Sequence, residues 1–267
     1  MDFDGAWSWR RPVAVLAACL SLAGCLAVGP LAGRASEEWT KSYPLAAGGE
    51  VRIVNTNGKI EIEGVDGSSV EVRAERIARA ATEEGARQLL PRISIREDVK
   101  PERVSIETER MGGFMIGAGF EVQYHVKAPK RALVTATTTN GQITLTALTG
   151  GVNARTTNGS VMGRELSGGV QARTTNGSIN VALAVVGKDR IALGTTNGSL
   201  TVTVPETTKA DVSARVTNGG ISVTGLNIDV SEQSRRRLEG RINGGGAPID
   251  LQTTNGGIRI RAGEAQR

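Results

Sequence analysis

The sequence predicts an all-β fold, a parallel β-solenoid-like stack of short strands with a β-rich capping insertion. Three observations predict it. The tripeptide Thr-Asn-Gly occurs seven times, with its asparagine at 57, 140, 158, 176, 197, 218 and 255, and the spacings from Asn140 to Asn218 are 18, 18, 21 and 21. Aliphatic residues alternate with polar ones on both sides of each copy. Aromatic residues make up only 3% of the 267-residue chain against 35 glycines, so the interior must be narrow and filled by small aliphatic side chains.

Taken in chain order, the first element is a leader over residues 1–24. Arg10 and Arg11 precede the apolar run Val13–Ser21, which is too short to span a bilayer, since that takes ~20 residues. The run ends in Leu22-Ala23-Gly24-Cys25, which resembles the bacterial lipobox. The resemblance implies cleavage before Cys25, diacylglycerol on its thiol and a further acyl chain such as palmitate on its amine. Several acyl chains, at ~0.8 kcal/mol per buried methylene, hold a protein on a membrane where one does not. Cleavage near Ala35, releasing a soluble protein, is the competing reading. Residues 25–36 then read as lipidated Cys and tether. Cys19 leaves with the leader, so the mature chain has no disulfide and depends on packing and backbone pairing.

The domain proper reads as residues 37–261. Its first copy has Val51 and Ile53 before Asn57, and Ile60 and Ile62 after it. An insertion over about 64–130 follows, with strands near Val70–Ile77, Arg92–Arg96, Arg103–Thr108 and Phe120–Val126. A short helix over Thr82–Leu90 is stopped by Pro91. This insertion is expected to cap one end of the stack, because bare edge strands invite aggregation.

The repeats fill about 131–261. Six residues before the Asn stand Val134, Val152, Val170, Ile191, Val212 and Ile249; four before stand Ala136, Ala154, Ala172, Leu193, Ala214 and Leu251. Three residues after it come Ile143, Val161, Ile179, Leu200, Ile221 and Ile258. A period of two on both sides means one buried face per strand. Asn-Gly between such strands is also a strong hairpin signal, which makes an antiparallel sandwich the competing fold. Identical residues returning in identical phase favour the parallel coil. Each Asn then stacks on the one before and can bond it through its amide; Gly follows because the corner needs positive φ. Arg259 and Arg261 are expected to place charge on the last, edge strand, and 262–267 reads as a tail.

At this point the Gly48-Gly49 strand entry, the Asn57-Gly58 corner, the Tyr124-His125-Val126-Lys127-Ala128-Pro129 segment, the Thr-Asn-Gly series and Arg241-Ile242-Asn243-Gly244-Gly245-Gly246 form one pattern. It resembles the bacterial β-strand-repeat family labelled "putative adhesin", over about residues 36–261. The resemblance implies an extracytoplasmic, right-handed solenoid-like protein of uncharacterised function.

The chemistry on offer is sparse. His125 is the sole histidine, and no Asp recurs in phase as calcium-binding repeats require, so no metal or cofactor is expected. Scattered acids do not make the paired carboxylates of a polysaccharide-active β-helix enzyme, and the chain reads as non-catalytic. The net charge of +5 favours anionic partners, while nucleic acid is disfavoured by compartment and by the lack of interleaved aromatics.

Two groups remain as candidate contacts. Arg155, Arg173 and Arg215, each three before an Asn, would form a basic stripe for anionic lipid, lipopolysaccharide or wall polymer, or simply a solvated strand face. Phe114, Met115 and Ile116 lie in an apolar, glycine-rich loop that would either dock on a membrane or partner or fold back over the stack. The expectation is a membrane-anchored envelope lipoprotein, and the lipobox resemblance, with Leu26 rather than Asp after Cys25, implies outer-membrane sorting in a two-membrane bacterium. It would act as an adhesion or structural scaffold for an anionic polymer, a glycan, another envelope protein or a second copy. A signalling or envelope-stress accessory is the alternative.

Overall fold

The computed structural model describes residues 32–109 and 117–263; the leader with Cys25, and the loop residues Phe114, Met115 and Ile116, lie outside them. The chain opens with β1 (Gly33–Pro44), β2 (Glu50–Val54), β3 (Ile60–Val65) and β4 (Ser69–Ala80). Helix α1 (Glu83–Leu89) and a 3-10 turn through Pro91 lead to β5 (Ile95–Lys100), β6 (Arg103–Thr108) and β7 (Ala118–Pro129). The regular repeats are β8 (Leu133–Asn140) with β9 (Ile143–Thr146), β10 (Val152–Asn158) with β11 (Val161–Leu166), β12 (Val170–Asn176) with β13 (Ile179–Leu183), and β14 (Ile191–Asn197) with β15 (Leu200–Val204). Then come β16 (Ala210–Asn218), β17 (Ile221–Thr224), β18 (Ile228–Gln233), β19 (Arg237–Ile242), β20 (Ala247–Asn255) and β21 (Ile258–Ala262).

Each coil contributes one strand to each of two facing sheets, joined at the Asn-Gly corner. The first sheet runs β1-β4-β7-β3-β9-β11-β13-β15-β21-β17, and the second β18-β19-β16-β20-β14-β12-β10-β8-β2-β6-β5. Pairing between coils is parallel and in register: Val152 faces Val170, Ala154 faces Ala172, and Asn158 faces Asn176. This parallel stack, not the antiparallel sandwich, is the fold. Antiparallel pairing is confined to the ends of the sheets, where β1 pairs β4, β4 pairs β7, β5 pairs β6, β16 pairs β19 and β18 pairs β19.

The core is the thin layer between the sheets. Along β10, Val152, Ala154 and Thr156 are buried while Arg155 and Thr157 are exposed, and the same alternation recurs in β12. Ala136, Ala154, Ala172 and Ala214 line the second-sheet side against Ile143, Val161, Ile179 and Leu200 from the first. Each buried Val, Ile or Leu contributes ~1.5–3 kcal/mol relative to exposure, so the stack is held by many similar increments.

The corner glycine has a reason beyond dihedral freedom. Gly58 does sit at φ +116°, yet the tighter constraint is contact between coils: a Cβ on Gly177 would lie 2.0 Å from the Gly159 carbonyl oxygen. Stacked corners approach too closely for any side chain. The hairpin-type turn that Asn-Gly usually signals is found elsewhere, at Asn243-Gly244, where φ is +46° and +87° and Gly245 N donates back to the Ile242 carbonyl.

Two expectations about the ends are corrected, the charged edge at the last strand and the domain start. The insertion caps the N-terminal end with strands in both sheets: β5 and β6 extend the second, β4 and β7 the first. Within it β6 and β7 make one further coil, stacked outside β2 and β3. Thr82 caps α1 by accepting from Gly85 N at 3.1 Å. At the far end the coils leave sequence order: β20 and β21 insert between β14–β15 and β16–β17. Arg259 and Arg261 therefore lie on an interior strand and defend no edge; the edge of the first sheet is β17, an uncharged Ile-Ser-Val-Thr. Finally, β1 begins at Gly33, four residues before the domain start expected at 37, because its alternation pairs it fully with β4 from Gly33↔Ala80 to Pro44↔Ser69.

Candidate functional site

The corner edge of the stack carries an unbroken asparagine ladder. Asn140 Nδ2 donates to Asn57 Oδ1 at 2.7 Å, and the series continues through Asn158, Asn176, Asn197, Asn255 and Asn218, each bond 2.8–2.9 Å long. The stacking expected from the repeat is therefore present, in the spatial order 197-255-218. Every ladder residue from Asn140 onward is exposed, so the ladder forms a surface edge and leaves one N–H per amide for a ligand or water.

Inside that edge runs a second ladder that the tripeptide does not reveal. In five of the seven copies the residue two before the Asn is a buried threonine, whose hydroxyl donates to the corner carbonyl of the coil stacked before it. These bonds include Thr156 to Gly141 at 3.0 Å, Thr174 to Gly159 and Thr195 to Gly177 at 2.9 Å, and Thr253 to Gly198 at 3.0 Å. The first copy uses Asn55 instead, whose buried Nδ2 donates to the Val122 carbonyl at 2.7 Å. The signal was in the sequence, at Thr138, Thr156, Thr174, Thr195 and Thr253, but its even spacing from the core residues makes it look like plain strand alternation.

On the outer face of the second sheet, Arg155 and Arg173 lie in direct register on neighbouring strands, ~4.8 Å apart along the stack. Among the described residues neither forms a salt bridge. Arg215 does not join them. Gly194 and Gln252 stand between it and Arg173 in the same row, and its guanidinium bonds Glu239 at 3.2 Å. The Arg237 guanidinium, with that of Arg215 behind it, holds the Glu239 carboxyl below the usual carboxylate range. The three-arginine stripe expected from sequence is thus a pair, Arg155 and Arg173, plus a separate neutralised cluster. Flanking the pair are the exposed Thr157 and Thr175, and a shallow groove of about 520 Å³ lined by Glu50, Thr135, Asn153, Gln171 and Arg190, the last paired with Asp250 at 2.8 Å.

The opposite sheet carries a groove of its own. His125 Nδ1 lies 2.7 Å from Glu61 Oε2 beside an open groove of about 580 Å³ lined by Glu38, Glu63, Glu71 and Arg73. Among the described residues no three His, Cys, Asp or Glu side chains are grouped to hold a metal, and no helix is long and apolar enough to cross a membrane.

Residues 121–261 match the family described as Toastrack DUF4097. No curated protein matches the chain. Among solved structures it is similar to a "putative cell adhesion protein" of Clostridium sporogenes, at 11% identity and TM-score 0.48, over 86% of this chain and 100% of that one. It is also similar to a "putative adhesin" of Bacteroides fragilis, at 8% identity and TM-score 0.29, over 85% and 97%. A "putative lipid binding protein" of Parabacteroides distasonis is 9% identical with TM-score 0.30, over 85% and 97%.

Proposed function

The chain belongs to the Toastrack DUF4097 family, and on that premise we propose that it is a non-catalytic envelope lipoprotein, held in the outer membrane through Cys25, whose second-sheet face binds an anionic envelope polymer. The observation that carries this reading is the pair of in-register guanidiniums, Arg155 and Arg173, on a flat repeating face, neither in a salt bridge among the described residues. Two cations within one Debye length reinforce each other on a polyanion, and the adjacent hydroxyl and amide rows supply neutral hydrogen bonds at the same ~4.8 Å period. The groove and row are shallow, which suits an extended chain and not a small substrate needing enclosure.

The anchor fits this geometry. Gly33, where β1 starts, is eight residues from Cys25, so the connection reaches ~26 Å at most, at ~3.3 Å per residue. That keeps the stack near the head groups.

The test uses the lipidated protein and purified lipopolysaccharide as probe. Reversing both charges (Arg155→Glu with Arg173→Glu) should weaken binding about tenfold at low salt, and raising salt should weaken the wild type in the same direction. Cys25→Ser should move the protein from the membrane to the soluble fraction without changing the polymer affinity of the folded domain. Unaltered binding in the double variant, or insensitivity to salt, would refute the arginine face as the site.

A further inference from the structure

We infer that Asn218, at the open end of the asparagine ladder, is a site of spontaneous deamidation, and that the ladder protects the other six Thr-Asn-Gly corners. Asn-Gly is the dipeptide most prone to this reaction, because glycine has no side chain to shield its backbone nitrogen. That nitrogen attacks the Asn Cγ, an N–Cγ bond forms, the Cγ–Nδ2 bond breaks, and the proton lost from the glycine nitrogen leaves with ammonia. Water then opens the resulting succinimide to aspartate or isoaspartate. Exposed repeats of this dipeptide would ordinarily be chemical weak points.

Six of the corners are locked at both reacting ends. The glycine N–H donates to the Asn carbonyl of the next coil: Gly58 to Asn140, Gly141 to Asn158, Gly159 to Asn176, Gly177 to Asn197, Gly198 to Asn255 and Gly256 to Asn218, all at 2.8–3.0 Å. The same six asparagines accept the next amide on Oδ1. A bonded glycine nitrogen resists deprotonation, and a side chain fixed at Oδ1 cannot rotate Cγ toward its own backbone.

Asn218 differs on both counts. It lies on β16, the last coil of the stack, and no further corner covers it. Among the described residues the Gly219 N–H has no acceptor and Asn218 Oδ1 accepts from nothing, while the side chain is exposed. Its one tie is Nδ2 donating to Asn255 Oδ1 at 2.8 Å. Asn243-Gly244, the remaining Asn-Gly pair, is held differently: its Nδ2 donates to the carbonyls of Glu206 and Thr208, both at 2.8 Å. Conversion of Asn218 removes the donor facing Asn255 and places a carboxylate against an amide oxygen, which loosens the terminal corner.

The experiment incubates the folded protein in mildly alkaline buffer and maps each Asn-Gly peptide by mass spectrometry for amide-to-acid conversion and isoaspartate. A parallel sample is held in guanidinium. Asn218 should convert about tenfold or more faster than Asn158, Asn176 or Asn197 in the folded protein, because each interior site is held by two hydrogen bonds that Asn218 lacks. In denaturant all seven should react at comparable rates. Asn218 reacting no faster than the interior sites, or staying intact in the folded protein while reacting in denaturant, would overturn the assignment.

Discussion

At the scale of single residues, the repeat is organised around one carbonyl per coil. The corner turns the Gly159 oxygen inward, where Thr174 Oγ1 donates to it at 2.9 Å and the bare Cα of Gly177 lets the next coil settle over it. Thr174→Val keeps the shape and removes the donor, so it should cost ~1–3 kcal/mol by leaving a buried acceptor unpaired. Gly177→Ala drives a methyl to 2.0 Å from the same oxygen, backbone that cannot swing aside, and should cost more, ~3 kcal/mol or above. Denaturant melts of both variants check the order; an alanine milder than the valine would show that the corner is looser than its contacts imply. The aligned sequence made the buried phase legible, since the threonine falls at the even positions with Val and Ala. Its hydroxyl acceptor was not legible, because that atom comes from another coil and depends on how far the corner tilts. The two departures in that column are Asn55 in the first copy and Val216 on the terminal coil, where chemistry that interior coils share is no longer enforced.

At the scale of elements, the two capping strands β6 and β7 are joined across the core by Thr108 Oγ1 and Tyr124 OH, 2.7 Å apart. Burial pushes the Tyr124 phenol up to about 12, with the Thr108 bond and Arg76 working against the rise. The folded state therefore favours the neutral phenol. Its stabilisation is complete below the unfolded value of ~10 and is lost as pH rises toward about 12, by ~2–3 kcal/mol in all at ~1.4 kcal/mol per pH unit. Tyr124→Phe should be less stable near neutrality yet lose less stability across that alkaline window. Because Tyr43 is also raised, by burial first and by Glu97 next, the wild type minus variant difference is the quantity to read. Parallel losses in the two proteins would remove Tyr124 from the account. The helix and its stop at Pro91 were readable, as were β4, β6 and β7 from alternation. The strand expected near Arg92–Arg96 instead runs Ile95–Lys100, because the 3-10 turn Leu90–Arg92 carries the chain past Pro91, and β1 was not read as a strand. What was not readable was that β6 and β7 form a coil of their own, since no Thr-Asn-Gly joins them. The arginine face was legible as three residues at one phase, yet only two are neighbours, because Gly194 takes that phase in the coil after Arg173 and the inserted β20 adds Gln252.

At the scale of the whole molecule, that reordering changes what truncation should do. In an ordinary solenoid each repeat touches only its sequence neighbours, so removing the C-terminal coil trims the stack and leaves the remainder intact. Here the last coil in sequence, β20 with β21, is the next-to-last in space. Asn255 links Asn197 to Asn218, Leu251 lies between Leu193 and Ala214, and Ile258 lies between Leu200 and Ile221. Deleting residues 247–263 takes out a middle layer and leaves β16 and β17 without a parallel neighbour, though β19 still pairs with β16 antiparallel. Hydrogen exchange should therefore show residues 210–242 unprotected in the truncated protein while β8 to β13 keep their protection, the pattern of a stack cut at β15 and not at its end. If the amides of β16 stayed protected, the terminal coil would have closed onto β14 directly, and interchangeable coils, not a fixed insertion order, would govern how this stack assembles.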